Sequence, residues 1–243
     1  MLQVCLNGSR TAGDSAAVPL SPGALAEAAA GAVAAGAAEV HAHPKTPCGA
    51  DTLSPRAVAA ALTAIREAVD VPVGVTTGAW AEPDPARRVA QVRSWTVLPD
   101  YASVNWHEPG AEEVAAALLE RGVGVEAGVW SGTTGARSLG VSRLASGLLR
   151  VLAEVTDPDA GTAPATASAL LAEVAEALAA RGASGVPVLL HGEDGGAWPV
   201  LRLAARRGLD TRVGLEDTLT LPDGRPAASN AELVARAREL GAR

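Results

Sequence analysis

Short apolar runs that alternate from residue to residue take turns along the chain with longer stretches in which apolar positions return about every 3.6 residues, the patterns of strand and helix. The β-branched and apolar runs predict strands at Gln3–Leu6, Glu39–His43, Val73–Thr76, Tyr101–Asn105, Gly124–Val129, Leu149–Glu154, Pro187–His191 and Arg212–Glu216. Between them the helical spacing predicts helices near residues 22–35, 55–69, 85–94, 111–121, 133–146, 168–181, 196–207 and 230–241. Punctuation agrees with this reading. Ser21-Pro22, Ser54-Pro55 and Asp84-Pro85 each place a capping residue before a proline at a first helical position. Gly36, Gly122, Gly182 and Gly208 stand where helices stop before a strand.

Repetition of one βα unit over the whole length favours a closed sheet, an α/β (β/α)₈ TIM barrel in a single domain over residues 1–243. An open dinucleotide-binding sheet would share the local pattern. It would also need a GxGxxG turn after the first strand, where only Gly8 follows Leu6-Asn7. Composition narrows the function classes. A net charge of −7 disfavours nucleic acid as a partner, since phosphate contacts need clustered Lys and Arg. No run is apolar enough to suggest a membrane span, no secretory signal is visible, and Cys5 and Cys48 stand far apart with no framework; a cytoplasmic protein without a disulfide is expected.

Barrel chemistry gathers at the carboxyl ends of the strands. His41-Ala-His43 ends the second predicted strand, and alternation puts both imidazoles on one face, a clamp for a divalent metal. A catalytic Zn²⁺ takes three protein ligands and leaves one position open. Glu216 supplies the third from strand eight, which in a closed barrel lies next to strand one. His₂Glu suits Zn²⁺ best, and Mn²⁺, Co²⁺, Ni²⁺ or Fe²⁺ fit the same donors. Arg212 is expected inward beside Glu216, partnered by Asp217, Glu126 or a substrate anion. Thr76, Ser103, Asn105 and Glu126 are further mouth candidates, while His107 beside Glu108 reads as a solvated loop histidine. His191-Gly-Glu-Asp-Gly-Gly196 opens a helix and is a weak candidate for an anion-binding turn.

His-Ala-His-Pro on strand two, Arg-Val-Gly-Leu-Glu-Asp on strand eight, Thr-Thr-Gly on strand three and Ser-Val-Asn on strand four together resemble the β-keto acid cleavage enzymes, whose type is the 3-keto-5-aminohexanoate cleavage enzyme. The likeness runs across nearly the whole chain and is closest to short members without a C-terminal extension. It implies a zinc barrel with metal on His41, His43 and Glu216, with Arg212 and Asp217 at catalytic positions and Asp217 as the base. Thr76, Ser103 and Asn105 would contact substrate. The implied reaction condenses a β-keto acid with acetyl-CoA and releases acetoacetate and a new acyl-CoA by a retro-Claisen step, in a homo-oligomer, a tetramer by analogy. Two departures bear on the substrate: Arg10 stands where the family type has a glutamate near the substrate amine, and Gly128 replaces the second of two acidic positions on strand five, Glu126 matching the first. An anionic or neutral keto acid is therefore expected in place of an amino-keto acid.

Two other readings compete. An amidohydrolase-like metal hydrolase also uses an HxH clamp, but wants histidines on strands five and six, which carry none. A catalytically silent barrel that binds metal or a metabolite would explain the altered pocket positions, against the presence of Arg212 and Asp217.

Overall fold

The computed structural model describes residues 1–243. Its strands are β1 (Leu2–Cys5), β2 (Glu39–Ala42), β3 (Val73–Thr76), β4 (Tyr101–Asn105), β5 (Gly124–Trp130), β6 (Arg150–Val155), β7 (Val188–Gly192) and β8 (Thr211–Val213). The helices are α1 (Pro22–Ala34), α2 (Pro55–Ala68), α3 (Pro85–Ser94), α4 (Ala111–Glu120), α5 (Gly135–Val141), α6 (Ala163–Ala180), α7 (Ala197–Arg207) and α8 (Asn230–Glu239). All pairings are parallel in the order β7-β6-β5-β4-β3-β2-β1-β8, and the Leu189–Asp210 bridge closes β7 onto β8. The fold is a TIM barrel.

Local chemistry accounts for most boundaries. Ser21, Asp84 and Ser229 accept hydrogen bonds from backbone N–H groups in the first turns of α1, α3 and α8, while Ser54 starts α2 without such a bond. Gly208 ends α7 with φ of 67°, a conformation that costs glycine no Cβ clash. Three expectations need correction. The helix expected over 133–146 is only Gly135–Val141, because its Gly and Ser content holds a helix weakly and the chain leaves it at Ser142. The helix α6 starts at Ala163, five positions before the expected 168, on the Thr162-Ala163-Pro164 start. Strand β8 stops at Val213, because Gly214 begins a turn whose carbonyl accepts from the N–H groups of Asp217 and Thr218.

Alternation divides the strands' side chains into two sets. Val4, Val40, Val75, Val104, Val125, Val151 and Val213 point outward into an apolar layer shared with the helices, which includes Leu25, Leu62, Leu118 and Leu201. The helix α6 has a mean hydropathy of 1.2 over 18 residues, and it packs into this layer through Leu170, Val174 and Leu178. The inward set is polar. Low in the barrel, Arg150 binds Glu126 through Nε at 2.5 Å and pairs with Glu39, and Gln3 donates to Tyr101 at 2.9 Å and Glu126 at 3.2 Å. Tyr101 fits because its ring fills the space of a side chain at Gly74, where a Cβ would lie 2.1 Å from Cε2.

A candidate metal centre at the barrel mouth

His41 comes from β2, and His43 follows the strand's last residue, Ala42. The buried side chain of Asn7 clamps the latter: Asn7 Nδ2 donates to the His43 carbonyl and Asn7 Oδ1 accepts from the His43 N–H, both at 2.9 Å. Glu216 arrives differently from the strand position expected of it. The turn at Gly214 brings it in, and that turn presses against β1 so closely that a Cβ on Gly214 would lie 1.8 Å from the Cys5 carbonyl oxygen. The Glu216 stem rests on Gly8, where a Cβ would meet Cγ at 2.4 Å.

The result is convergence of three donors. His43 Nε2 lies 3.5 Å from Glu216 Oε1 and His41 Nε2 lies 3.9 Å from Glu216 Oε2, and one ligand atom of each residue falls within 4.8 Å of the others. Donors about 2.0–2.2 Å from a tetrahedral Zn²⁺ stand roughly 3.3 Å apart, so the cluster has the dimensions of a metal site. Glu216 Oε2 is buried and lacks a hydrogen-bond partner, as an oxygen reserved for an ion would. Burial lowers the His41 pKa to about 4, against the pull of Glu216, so its ring is neutral and able to ligate. Burial alone would raise the Glu216 pKa, but Arg212 and the two imidazoles bring it well below the usual carboxylate range. On the far side of the His43 ring, Asp51 Oδ1 stands 3.3 Å from Nδ1 and is itself held by Lys45 at 2.8 Å.

A cavity of about 350 Å³ opens beside this cluster. Arg10, Thr76, Ser103, Asn105 and Arg212 line it, as do Trp80, Trp130, Glu154 and Glu193, four residues that sequence reasoning did not place there. Glu154 was within reach of the strand argument, since it lies at the predicted end of strand six. Trp80 stacks on His43 at 5.9 Å and 13°, and His107, away from the metal cluster, packs on Trp130 at 4.8 Å. Asn105 is already engaged, donating to Glu108 at 2.9 Å and accepting from Trp130 Nε1 at 3.2 Å.

Several candidates sit elsewhere than expected. Glu126 is fully buried, and its carboxylate belongs to Arg150 and Gln3. Strand β5 continues past Glu126 to Trp130, and in register Glu126 is paired with Ser103 on β4 and Arg150 on β6. Asp217 is 1% exposed and is not part of the cavity lining. Its Oδ1 accepts from Arg212 Nη2 at 2.9 Å and its Oδ2 from Cys5 Sγ at 2.7 Å. Arg212 also donates to Glu216 Oε1 at 2.9 Å, so these two carboxylates are its partners. Arg10 keeps its place on the cavity wall while donating to the Glu216 carbonyl at 3.0 Å and to Asp194 at 2.8 Å. The His191–Gly196 turn is also not an anion cradle: the Asp194 N–H is bound to the Asp217 carbonyl and the Gly196 N–H to the Glu193 carbonyl.

His191 links the two ends of this network. Its Nε2 lies 3.3 Å from Glu154 and its Nδ1 3.4 Å from Asp217. Burial and Arg212 depress its pKa, but Asp217 and Glu154 outweigh them and raise it to about 9. Arg212 Nε donates to His191 Nδ1 at 3.3 Å, and His191 Nε2 meets Glu154 Oε2 at 3.3 Å.

Among solved structures, the chain resembles an N-acetylmannosamine-6-phosphate 2-epimerase from Clostridium perfringens, with 14% identity and a TM-score of 0.56 over 89% of this chain and 87% of that one. It also aligns with a protein assigned as a fructose-1,6-biphosphate aldolase from Coccidioides immitis, with 16% identity and a TM-score of 0.47 over 99% of this chain and 88% of that one. At such identities the likeness speaks to the barrel alone. No curated protein matches the chain. The family pattern that matches spans residues 1–243, and by it the chain belongs to the beta-keto acid cleavage enzymes.

Proposed function

We propose that this enzyme condenses a β-keto acid with acetyl-CoA and cleaves the product by a retro-Claisen step, giving acetoacetate and a new acyl-CoA, with Zn²⁺ on His41, His43 and Glu216. The observation that carries this reading is the convergence of those three donors on a cavity that also presents the Arg212 guanidinium. When bound, the ion supplies Lewis acidity toward the keto carbonyl.

The chain's own residues do the rest. Arg212, fixed by Glu216 and Asp217, meets the substrate carboxylate and keeps its negative charge beside the reacting carbon. Ser103 and Thr76 orient the keto acid from β4 and β3, and Asn105, pinned by Glu108 and Trp130, adds a fixed amide edge. Trp80 and Trp130 wall the cavity and shed water from it. The hydrolase alternative wants histidines on β5 and β6, which end in Trp130 and Glu154-Val155.

The test is metal content by elemental analysis together with acetoacetate formation from a β-keto acid panel and acetyl-CoA, for the wild type, His41→Ala and Glu216→Ala. About one zinc per chain is expected in the wild type, lost with activity in both variants. Acetoacetate formation by metal-free wild-type protein would sink the reading.

A further inference from the structure

The cavity is polar except along one side. Its apolar lining is Trp80 after β3, Trp130 at the end of β5 and Leu152 on β6, whereas its arginines, Arg10 and Arg212, come from the loop after β1 and from β8. In the barrel order, His41 and His43 of β2 stand between the two groups. A β-keto acid that meets Arg212 with its carboxylate and the three donors with its keto oxygen therefore sends the rest of its carbon chain past β2, toward the aromatic side. We propose that Trp80 and Trp130, with Leu152, form the subsite for the tail of the β-keto acid, and that this tail is uncharged and apolar, an alkyl chain or an aryl ring. The inference rests on the cleavage reading above and narrows its substrate.

The two indoles are held in place from behind. Trp80 lies nearly parallel to the His43 ring, at 13° and 5.9 Å between centroids, and it rests on Gly78, where a Cβ would lie 2.3 Å from Cζ2. Trp130 stands 6.3 Å from Trp80 with a tilt of 32°, and His107 packs on it at 4.8 Å. A ring inserted between two others takes about 7 Å, twice a carbon contact of roughly 3.5 Å. The pair is thus one continuous wall, and a tail lies along it.

Gly128 gives this wall its anchor. It is in register with Asn105 on β4 and Leu152 on β6, and a Cβ there would lie 2.6 Å from Asn105 Oδ1. Lacking one, it lets Asn105 lean across β5 and accept from Trp130 Nε1 at 3.2 Å. The carboxyl group nearest the wall in register is Glu154, opposite Trp130, and it meets His191 at 3.3 Å. A tail ending in a carboxylate would give up water for the negative faces of the indoles, with no cation on that side to receive it. Indole faces attract ammonium groups, so an ammonium tail is the sharpest competitor of an apolar one.

The experiment uses zinc-loaded protein without thioester and measures, by calorimetry, the Kd of β-keto acids with ethyl, propyl, pentyl and phenyl tails. Two further acids carry tails of pentyl length that end in a carboxylate or an ammonium, and acyl-CoA formation with acetyl-CoA is followed in parallel. Wild-type affinity is expected to rise about fourfold per methylene, roughly 60-fold from ethyl to pentyl. Both charged tails are expected to bind on the order of tenfold or more weaker than pentyl. Trp80→Ala and Trp130→Ala should each cut the pentyl-to-ethyl ratio by about fivefold, and Trp130→Phe, which keeps a ring but loses the N–H to Asn105, should restore most of it. Trp80 is 45% exposed, so Trp80→Ala keeps the fold and decides the matter if Trp130→Ala does not fold. Affinity that is flat with tail length, a charged tail bound as tightly as pentyl, or an unchanged ratio in Trp80→Ala overturns the proposal, and acyl-CoA formed in that case leaves the cleavage reading standing. If the tail dependence and its loss in Trp80→Ala are found but no acyl-CoA forms, the cleavage reading fails while the binding supports the subsite. A metal-loaded wild type that binds none of the acids overturns both.

Discussion

The barrel encloses two polar clusters, one at its floor and one at its mouth, and they are built to opposite ends. At the floor, Glu39 and Glu126 both meet the Arg150 guanidinium, Gln3 donates to Glu126, and Tyr101 fills the remaining space and donates to the Val40 carbonyl at 2.8 Å. At the mouth, His41 Nε2 and Glu216 Oε2 stand 3.9 Å apart, too far to bond and close enough to share an ion. Ionised groups taken out of water cost several kcal/mol each unless partnered. The floor supplies its partners from within, whereas the mouth leaves places for a metal and a substrate. Similar residue types can thus hold a barrel together or perform its chemistry, according to whether their valences close on one another.

The sharpest way to break this comparison is to remove one member from each cluster. Glu216→Ala or His41→Ala is expected to abolish metal binding and bring turnover to background while leaving urea unfolding of the metal-free protein little changed. Glu126→Ala should do the reverse, leaving Arg150 short of a carboxylate and costing about 3–5 kcal/mol in the same unfolding measurement. A folded Glu126→Ala protein that had lost its metal would merge the two regions into one network. Next in size is Gly214→Ala, which drives a Cβ to 1.8 Å from the Cys5 carbonyl and should destabilise by about 1–3 kcal/mol while displacing Glu216; thermal denaturation and zinc affinity read the two effects. Asp51→Asn weakens the support behind His43, and zinc titration should show affinity lower by roughly 10–100-fold with the fold intact. Trp80→Leu is the mildest change: at 45% exposure its stability cost should stay within about 0.5 kcal/mol, and the loss should appear as a raised KM for the keto acid.

Much of this was legible in the chain. The βα alternation, capping residues and terminal glycines specify the barrel because each acts within a few residues of its own position. The convergence of His41, His43 and Glu216 was also legible, since HxH spacing places two imidazoles together and barrel closure brings strand eight beside strand one. The engagement of Glu126 was not, because its partners Arg150 and Gln3 come from β6 and β1, which only the closed sheet brings to it. Nor could the chain alone show that Asp217 faces away from the cavity. Its orientation follows from a turn wedged against the Cys5 carbonyl, a contact across more than two hundred residues of sequence. Residue type and short-range spacing determined the fold and the three donors that converge at its mouth. Register, stagger and close backbone packing, which exist only once the sheet has closed, decided which carboxyl groups bind the floor, which hold Arg212 and which face the substrate.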